Sequence, residues 1–337
     1  MSLRIKNITT KTIQNTNKNN CQPTKPNIIP IELPGEFWSV SCYFNPLKYN
    51  SRLRNFLLFY HRLSSQCNNI LIVELAAHES QLILHKYLRP TSLLQLVTNN
   101  NEMLWQKESL LNLGINTLPS SCDKVCWLDC DVLIQDDKWV ETTSKLLTRY
   151  VVVQPFEVAV RLPKDVVNIS TNFATNDKLK GFAKQYLDEV HGKTSAYGHP
   201  GYACAFRRIP LVSAGGLFDT CIIGAGDQYI ARAIMDTKLT RGYSANHLIY
   251  YEQWRNKFQQ YIQHSFSYVK HSKLFHLYHG AQSNRQYSTR LQKFAELNYD
   301  PNKDLIRQPN GLYKLSPHGQ IFTTWLRDFF IKRQEDG

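Results

Sequence analysis

The sequence has no G-x-G-x-x-G, no G-x-x-x-x-G-K-[ST], no H-E-x-x-H and no G-x-S-x-G. The signatures of dinucleotide-dependent dehydrogenases, P-loop proteins, zincins and α/β-hydrolases are therefore missing. Eight cysteines occur, at Cys21, Cys42, Cys67, Cys122, Cys126, Cys130, Cys204 and Cys221, with no C-x-x-C pair and no Cys/His zinc spacing. They read as reduced and mostly buried. Cys122, Cys126 and Cys130 recur every fourth residue, but their segment has the pattern of a strand rather than of a helix. No apolar run reaches the ~18 residues that span a bilayer. Residues 1–20, rich in Asn, Thr and Lys, lack the apolar core of a signal peptide. The expectation is a soluble, cytoplasmic protein in which the sequons at Asn7 and Asn168 are chance matches. There is no long basic block or arginine-rich arm, although the net charge is +13. Specific nucleic-acid binding is therefore not expected, and the surplus fits a phosphorylated substrate in part and a basic solvated surface for the rest.

What is present is the composition of an ordinary globular chain: 337 residues, 42% hydrophobic and 20% charged. After a tail over 1–34, residues 35–337 read as one domain without internal repeats or a Ser/Pro linker. Residues 35–42 form a strand candidate, 50–64 an amphipathic helix and 69–75 a buried strand carrying Glu74. A second unit repeats the order: a strand over 93–97, a helix over 101–114 stopped by Gly114, and a strand over 125–134. Buried strands alternating with helices imply a mostly parallel sheet covered on both faces, whose ligands bind beyond the carboxyl ends of the strands. Further on, strands are expected over 150–156 and 202–207, and helices over 178–190 and 228–235.

Three segments carry chemistry. In Trp127-Leu128-Asp129-Cys130-Asp131-Val132, two acids at i and i+2 interrupt an apolar run and share one side of a strand. Burying such charge uncompensated costs several kcal/mol, and a divalent cation such as Mn2+ or Mg2+ is the simplest partner; an acidic turn at a strand end is the alternative. In Gly215 to Gln228, glycines lead to Asp227 at the start of a helix, either as a dipole-stabilised acid or as a general base. In Phe275 to Arg290, His276 and His279 fall on opposite faces if the strand continues, and Arg285 and Arg290 could grip phosphate.

Taken in this order, the segments resemble the GT-A glycosyltransferases, and more closely a family-2-like, galactosyltransferase-like group from bacteria and viruses. The likeness runs from about Trp38 to the C-terminus. It rests on Tyr43-Phe44-Asn45-Pro46, Val73-Glu74-Leu75, Trp105-Gln106-Lys107-Glu108, the D-x-D strand, Gly201-Tyr202-Ala203 with Arg207, Gly215 through Asp227, His276 to Arg290, and Arg333-x-Glu335-Asp336. The resemblance implies an α/β GT-A fold: a Rossmann-like, mostly parallel central sheet flanked by helices, with an elaborated C-terminal acceptor part. Residues 35–150 would bind the nucleotide-sugar and 151–337 the acceptor. The implied metal motif is Asp129 and Asp131 with His279, or else His276. The implied donor site comprises Tyr43, Asn45, Glu74, Trp105, Lys107, Asp129 and Arg285, with Tyr43 and Glu74 near the base and ribose. Asp227 would be the catalytic base, though it is followed by Gln228 where those enzymes carry further acids.

The implied reaction is a metal-dependent transfer from a nucleotide-diphosphate-sugar, a UDP-sugar first, to a hydroxyl of a glycan, lipid-linked or protein acceptor. Inversion is expected, because the sequence offers one placed base and no nucleophile for a double displacement. Two other readings share these residues: a metal-dependent phosphoryl or nucleotidyl transferase, and a non-enzymatic basic nucleic-acid-binding protein. Over 320–332, Ile321, Phe322, Trp325, Leu326, Phe329 and Phe330 share one helical face, expected to pack on the chain's own domain, with peripheral membrane contact as the minority reading.

Overall fold

The computed structural model describes residues 29–98, 102–169, 177–190, 198–239, 244–287 and 289–337. Most of the expected tail, with Asn7 and Cys21, lies outside the described residues. Seven strands make the central sheet: β1 (Glu36–Phe44), β2 (Ile70–Ala76), β3 (Leu93–Val97), β4 (Cys122–Leu128), β6 (Val152–Gln154), β9 (Ala203–Arg207) and β10 (Phe266–Tyr268), in the order β10-β6-β9-β4-β1-β2-β3. All neighbours run parallel except at β9, which is antiparallel to β4 and β6. A second sheet joins β5 (Val132–Ile134), β11 (Lys273–His276), β7 (Val158–Arg161) and β8 (Lys178–Lys180), and β12 (Leu305–Arg307) pairs with β13 (Tyr313–Leu315).

Strand alternation divides the core. Val125 and Trp127 of β4 join one apolar cluster with Val40, Leu71 and Phe206, while Cys126 and Leu128 face the opposite cluster with Ile70, Ile72 and Ala205. Both faces are thus dry, as a sheet clad by helices requires. The helix Asn50–Ser64 lies on the second face through Phe56 and Phe59, and the C-terminal helix Thr323–Lys332 lies on the first through Leu326, Phe329 and Phe330. Ile321 remains 53% exposed, outside the expected stripe. The seven described cysteines are free, six of them buried.

Three expectations are corrected. The expected strand over 125–134 is two strands in different sheets, parted at Asp129–Asp131. There the Asp129 amide donates to the Tyr202 carbonyl at 2.7 Å, and the Leu277 amide donates to the Asp131 carbonyl at 2.9 Å. The helix expected to stop at Gly114 runs from Lys107 to Thr117, with Gly114 inside it. Its bare Cα presses on the sheet, since an added Cβ would stand 2.8 Å from Val73 Cγ2 and 3.0 Å from Val40 Cγ1. The helix expected over 178–190 opens as strand β8 and becomes helical only from Phe182.

Candidate active site

In the central sheet β1 leads away to β2 and β3 on one side, whereas β4 lies on its other side. The carboxyl ends of β1 and β4 therefore border the crevice at which open α/β sheets bind ligands. A cleft of about 470 Å3 lies there, reached by Cys42 and Phe44 of β1, by Asp129–Asp131 after β4, and by the starts of the helices Lys107–Thr117 and Gly226–Ile234. Two of its residues, Tyr202 (φ 78°) and Ala225 (φ 74°), hold left-handed backbone conformations that cost non-glycine residues energy.

Asp131 faces two imidazoles. Its Oδ1 lies 3.7 Å from His276 Nε2 and its Oδ2 lies 3.4 Å from His279 Nε2, while the two Nε2 atoms are 2.9 Å apart. All three ligating atoms fall within 4.8 Å of one another. The expectation that the histidines point to opposite faces fails because β11 ends at His276 and His279 lies beyond it in irregular backbone ahead of the bend at Gly280. Asp131 Oδ1 is buried without a hydrogen-bond partner. Burial pushes the His279 imidazole down to about 3 and the His276 imidazole well below its usual range. Neutral rings are what a cation requires as ligands. The 2.9 Å spacing is close to the ~3 Å between nitrogens in neighbouring positions around a cation bonded at ~2.1 Å. These residues fit a divalent ion.

Asp129 is held differently. Its Oδ1 lies 2.5 Å from Lys107 Nζ, which also sits 4.5 Å over the Trp127 ring, and the residue stands outside the trio around Asp131. Burial raises the Asp129 carboxyl to about 6 against the pull of Lys107. Burial opposes the Lys107 charge too, yet Asp129, Glu108 and Asp227 outweigh it and hold the ammonium protonated. Burial raises the Glu108 carboxyl to about 8 against the pull of Lys107. A Cβ built on Gly226 would meet the Glu108 carboxyl, so a side chain there would require that group to move.

Of the residues expected to hold the donor, Trp105, Lys107, Asp129 and Arg285 line the cleft, as does Asp227. Tyr43, Asn45 and Glu74 do not. Strand alternation turns Tyr43 to the far face, where it packs on Phe56. Asn45 closes the turn after β1 through Tyr49, with bonds of 2.9 Å to its amide and its carbonyl. The buried Glu74 carboxylate accepts from the amides of Ile83 (2.8 Å) and Leu84 (3.1 Å) and from the Gln95 side chain (2.7 Å), so it anchors a loop. Asp227 Oδ1 accepts from the Gln228 amide at 2.9 Å, and its Oδ2 abuts Gly201. Arg52, Arg161 and His199 also line the cleft and were not anticipated. His199 stacks on Tyr202 at 3.9 Å, and Arg161 donates to the Tyr202 hydroxyl at 3.3 Å. Each stands on a separate element without a motif of its own, so only the folded topology identifies it.

Arg285 Nη2 lies 2.5 Å from His279 Nε2 and 2.7 Å from its Nδ1, and donates to the His279 carbonyl at 3.2 Å. Arg290 lies 4.8 Å over the Tyr287 ring.

No family model and no curated protein matches the chain. Among solved structures, it is similar to TarS 1–349 of S. aureus in complex with UDP-GlcNAc, at 12% identity and a TM-score of 0.39, over 73% of this chain and 60% of that one. It thus spans less than two thirds of that structure. GalNAc-T7 with UDP, GalNAc and Mn2+ aligns at 12% identity and a TM-score of 0.43, over 74% of this chain and 45% of that one. The 4-diphosphocytidyl-2C-methyl-D-erythritol synthase of Anaerococcus prevotii aligns at 9% identity and a TM-score of 0.34, over 87% and 97%. The structural neighbours thus include both glycosyltransferases and a nucleotidyltransferase.

Proposed function

We propose that the chain is a divalent-metal-dependent glycosyltransferase of GT-A type, acting on a nucleotide-diphosphate-sugar and an acceptor hydroxyl. The observation that carries this reading is the trio Asp131, His276 and His279 at the carboxyl-end crevice, beside a cleft rimmed with arginine. Two imidazole ligands favour Mn2+ over Mg2+, which prefers an all-oxygen shell. Bound to these three side chains, such an ion would neutralise charge developing on a diphosphate leaving group.

The chain's own residues supply the rest. Lys107 holds Asp129 towards the donor, and Arg285 and Arg290 meet the phosphate oxygens, guanidinium being suited to paired contacts. Asp227, at the start of the helix Gly226–Ile234, takes the proton of the acceptor hydroxyl while the hydroxyl oxygen bonds to the anomeric carbon and the nucleoside diphosphate departs from the opposite side. That single displacement inverts the anomeric centre. UDP-sugars are the first donors to try, and glycan, lipid-linked and protein acceptors are the acceptor classes.

The test is product analysis with UDP-, GDP- and dTDP-sugars, and in parallel with nucleoside triphosphates plus sugar phosphates, each with and without Mn2+. Release of nucleoside diphosphate with sugar transferred to an acceptor or to water supports the reading. Release of pyrophosphate from a nucleoside triphosphate and a sugar phosphate would instead make the protein a nucleotidyltransferase.

A further inference from the structure

The chain's last residues enter the site from behind. Asp336 accepts from the amides of Asn50 (3.1 Å) and Ser51 (2.7 Å), capping the helix Asn50–Ser64 where its unpaired amides and dipole favour an acid. Ser51 Oγ donates to the Glu335 carbonyl at 2.8 Å. On the other side, an added Cβ on Gly280 (φ 91°) would come within 3.0 Å of the carbonyl oxygens of Arg333 and Gln334. The segment is thus wedged between that helix and the turn carrying His279.

Glu335 is the hub of this wedge. Only 2% exposed, it pairs with Arg52 Nη1 at 2.8 Å and Arg333 Nε at 2.6 Å, and lies 3.8 Å from His279 Nδ1. Two guanidinium groups therefore share one carboxylate. Arg333 is fixed besides between rings, 5.0 Å over Trp105 and 5.7 Å over Phe329. It lines the cleft, yet its Nη2 is buried with no hydrogen-bond partner. Glu335 is the one acid paired with it among the described residues. Burial pulls its guanidinium down to about 10, still charged at neutral pH. A guanidinium paired to Glu335 on one edge, with a buried and unpartnered Nη2 in a residue that lines the cleft, is placed to receive an anion.

We propose that Arg333 binds a phosphate group of the donor's diphosphate, with Glu335 as the positioning residue that aims it. The inference rests on the nucleotide-sugar reading of the cleft and adds a charge that belongs to the protein rather than to a metal. Arg333 would meet the diphosphate whether or not a cation is bound.

The experiment is calorimetric titration of inorganic pyrophosphate and of UDP, each with and without MnCl2, into the full chain and its R333M, R333K, E335Q and D131A variants. Thermal unfolding of each variant checks the fold. R333M is expected to weaken pyrophosphate binding roughly 10- to 100-fold with and without Mn2+, the range of a lost charged hydrogen bond. R333K is expected to recover only part, because an ammonium cannot hold Glu335 and reach the ligand with a second fixed donor. E335Q should weaken binding about 3- to 10-fold with the guanidinium still present, and D131A should remove only the increment that Mn2+ adds. Affinity within twofold of the parent in folded R333M, or in folded R333K if R333M does not fold, overturns the proposal. Should that occur while D131A still loses the Mn2+ increment, the donor site stands without Arg333. If the parent binds neither ligand under any condition, both readings fall.

Discussion

Asp131 has a buried oxygen with no protein partner and two neutral imidazoles turned towards it. Replacing it by alanine removes the only carboxylate of the trio, so Mn2+ binding should vanish and sugar transfer should fall by about 1000-fold or more, with circular dichroism unchanged. Retained transfer would rule the trio out as the catalytic centre. Another buried imidazole, His247, is not among the residues that line the cleft. Its Nε2 is 3.1 Å from the Thr220 hydroxyl, and burial pushes its ring down to about 3 from 6.5. The folded protein therefore leaves His247 neutral in a window, from about 6.5 down to about 3, where the unfolded chain takes up a proton. Because the unfolded state binds more protons there, stability is lost as the pH falls, by up to about 1.4 kcal/mol per unit for this group. Urea unfolding at pH 7 and pH 5 should show a loss about 2 kcal/mol smaller in His247→Gln than in the parent; an equal loss would mean that His247 does not couple folding to protons.

Among the elements, the helix Lys107–Thr117 matters most, because its first turn brings Lys107 and Glu108 into the cleft while Gly114 seats its far end on β1 and β2. Gly114→Val should cost about 1–3 kcal/mol by overpacking against Val40 and Val73, read as a lower denaturation midpoint, and should weaken donor binding as Lys107 shifts. A neutral or stabilising result would show that the helix can slide without harm. This helix also shows why part of the fold was legible and part was not. Apolar spacing marked the helix and its neighbouring strands, but Gly114 reads locally as a stop signal, and only the sheet beneath it explains a glycine inside a helix. The break at Asp129–Asp131 was hidden for the opposite reason: apolar residues flank it without interruption, while the partners that end β4, Tyr202 and Leu277, lie far away in the chain. Glu74 read as a strand-end acid of the site because its acidity is local, whereas the loop amides that occupy it come from a separate turn.

Across the whole molecule, the central sheet takes β1–β4 from residues 35–150 and β6, β9 and β10 from residues 151–337. The trio repeats this join: Asp131 leads into β5, and His276 and His279 follow from β11, which pairs with β5 in the second sheet. A cation held by all three would tie the end of β4 to the end of β11, binding the folded chain but not the unfolded one, whose three ligands are scattered. Mn2+ at a hundred times its dissociation constant should then stabilise the protein by about 2.7 kcal/mol, a rise in unfolding temperature of roughly 3–6 °C, and chelation by EDTA should reverse it. Asp131→Ala should abolish the rise, whereas Asp227→Asn, outside the trio, should leave it intact while stopping transfer. A rise of equal size in Asp131→Ala would place the ion elsewhere and detach the metal from this site. A rise lost in both variants would mean that Asp227 belongs to the cation's own shell and not to the acceptor side.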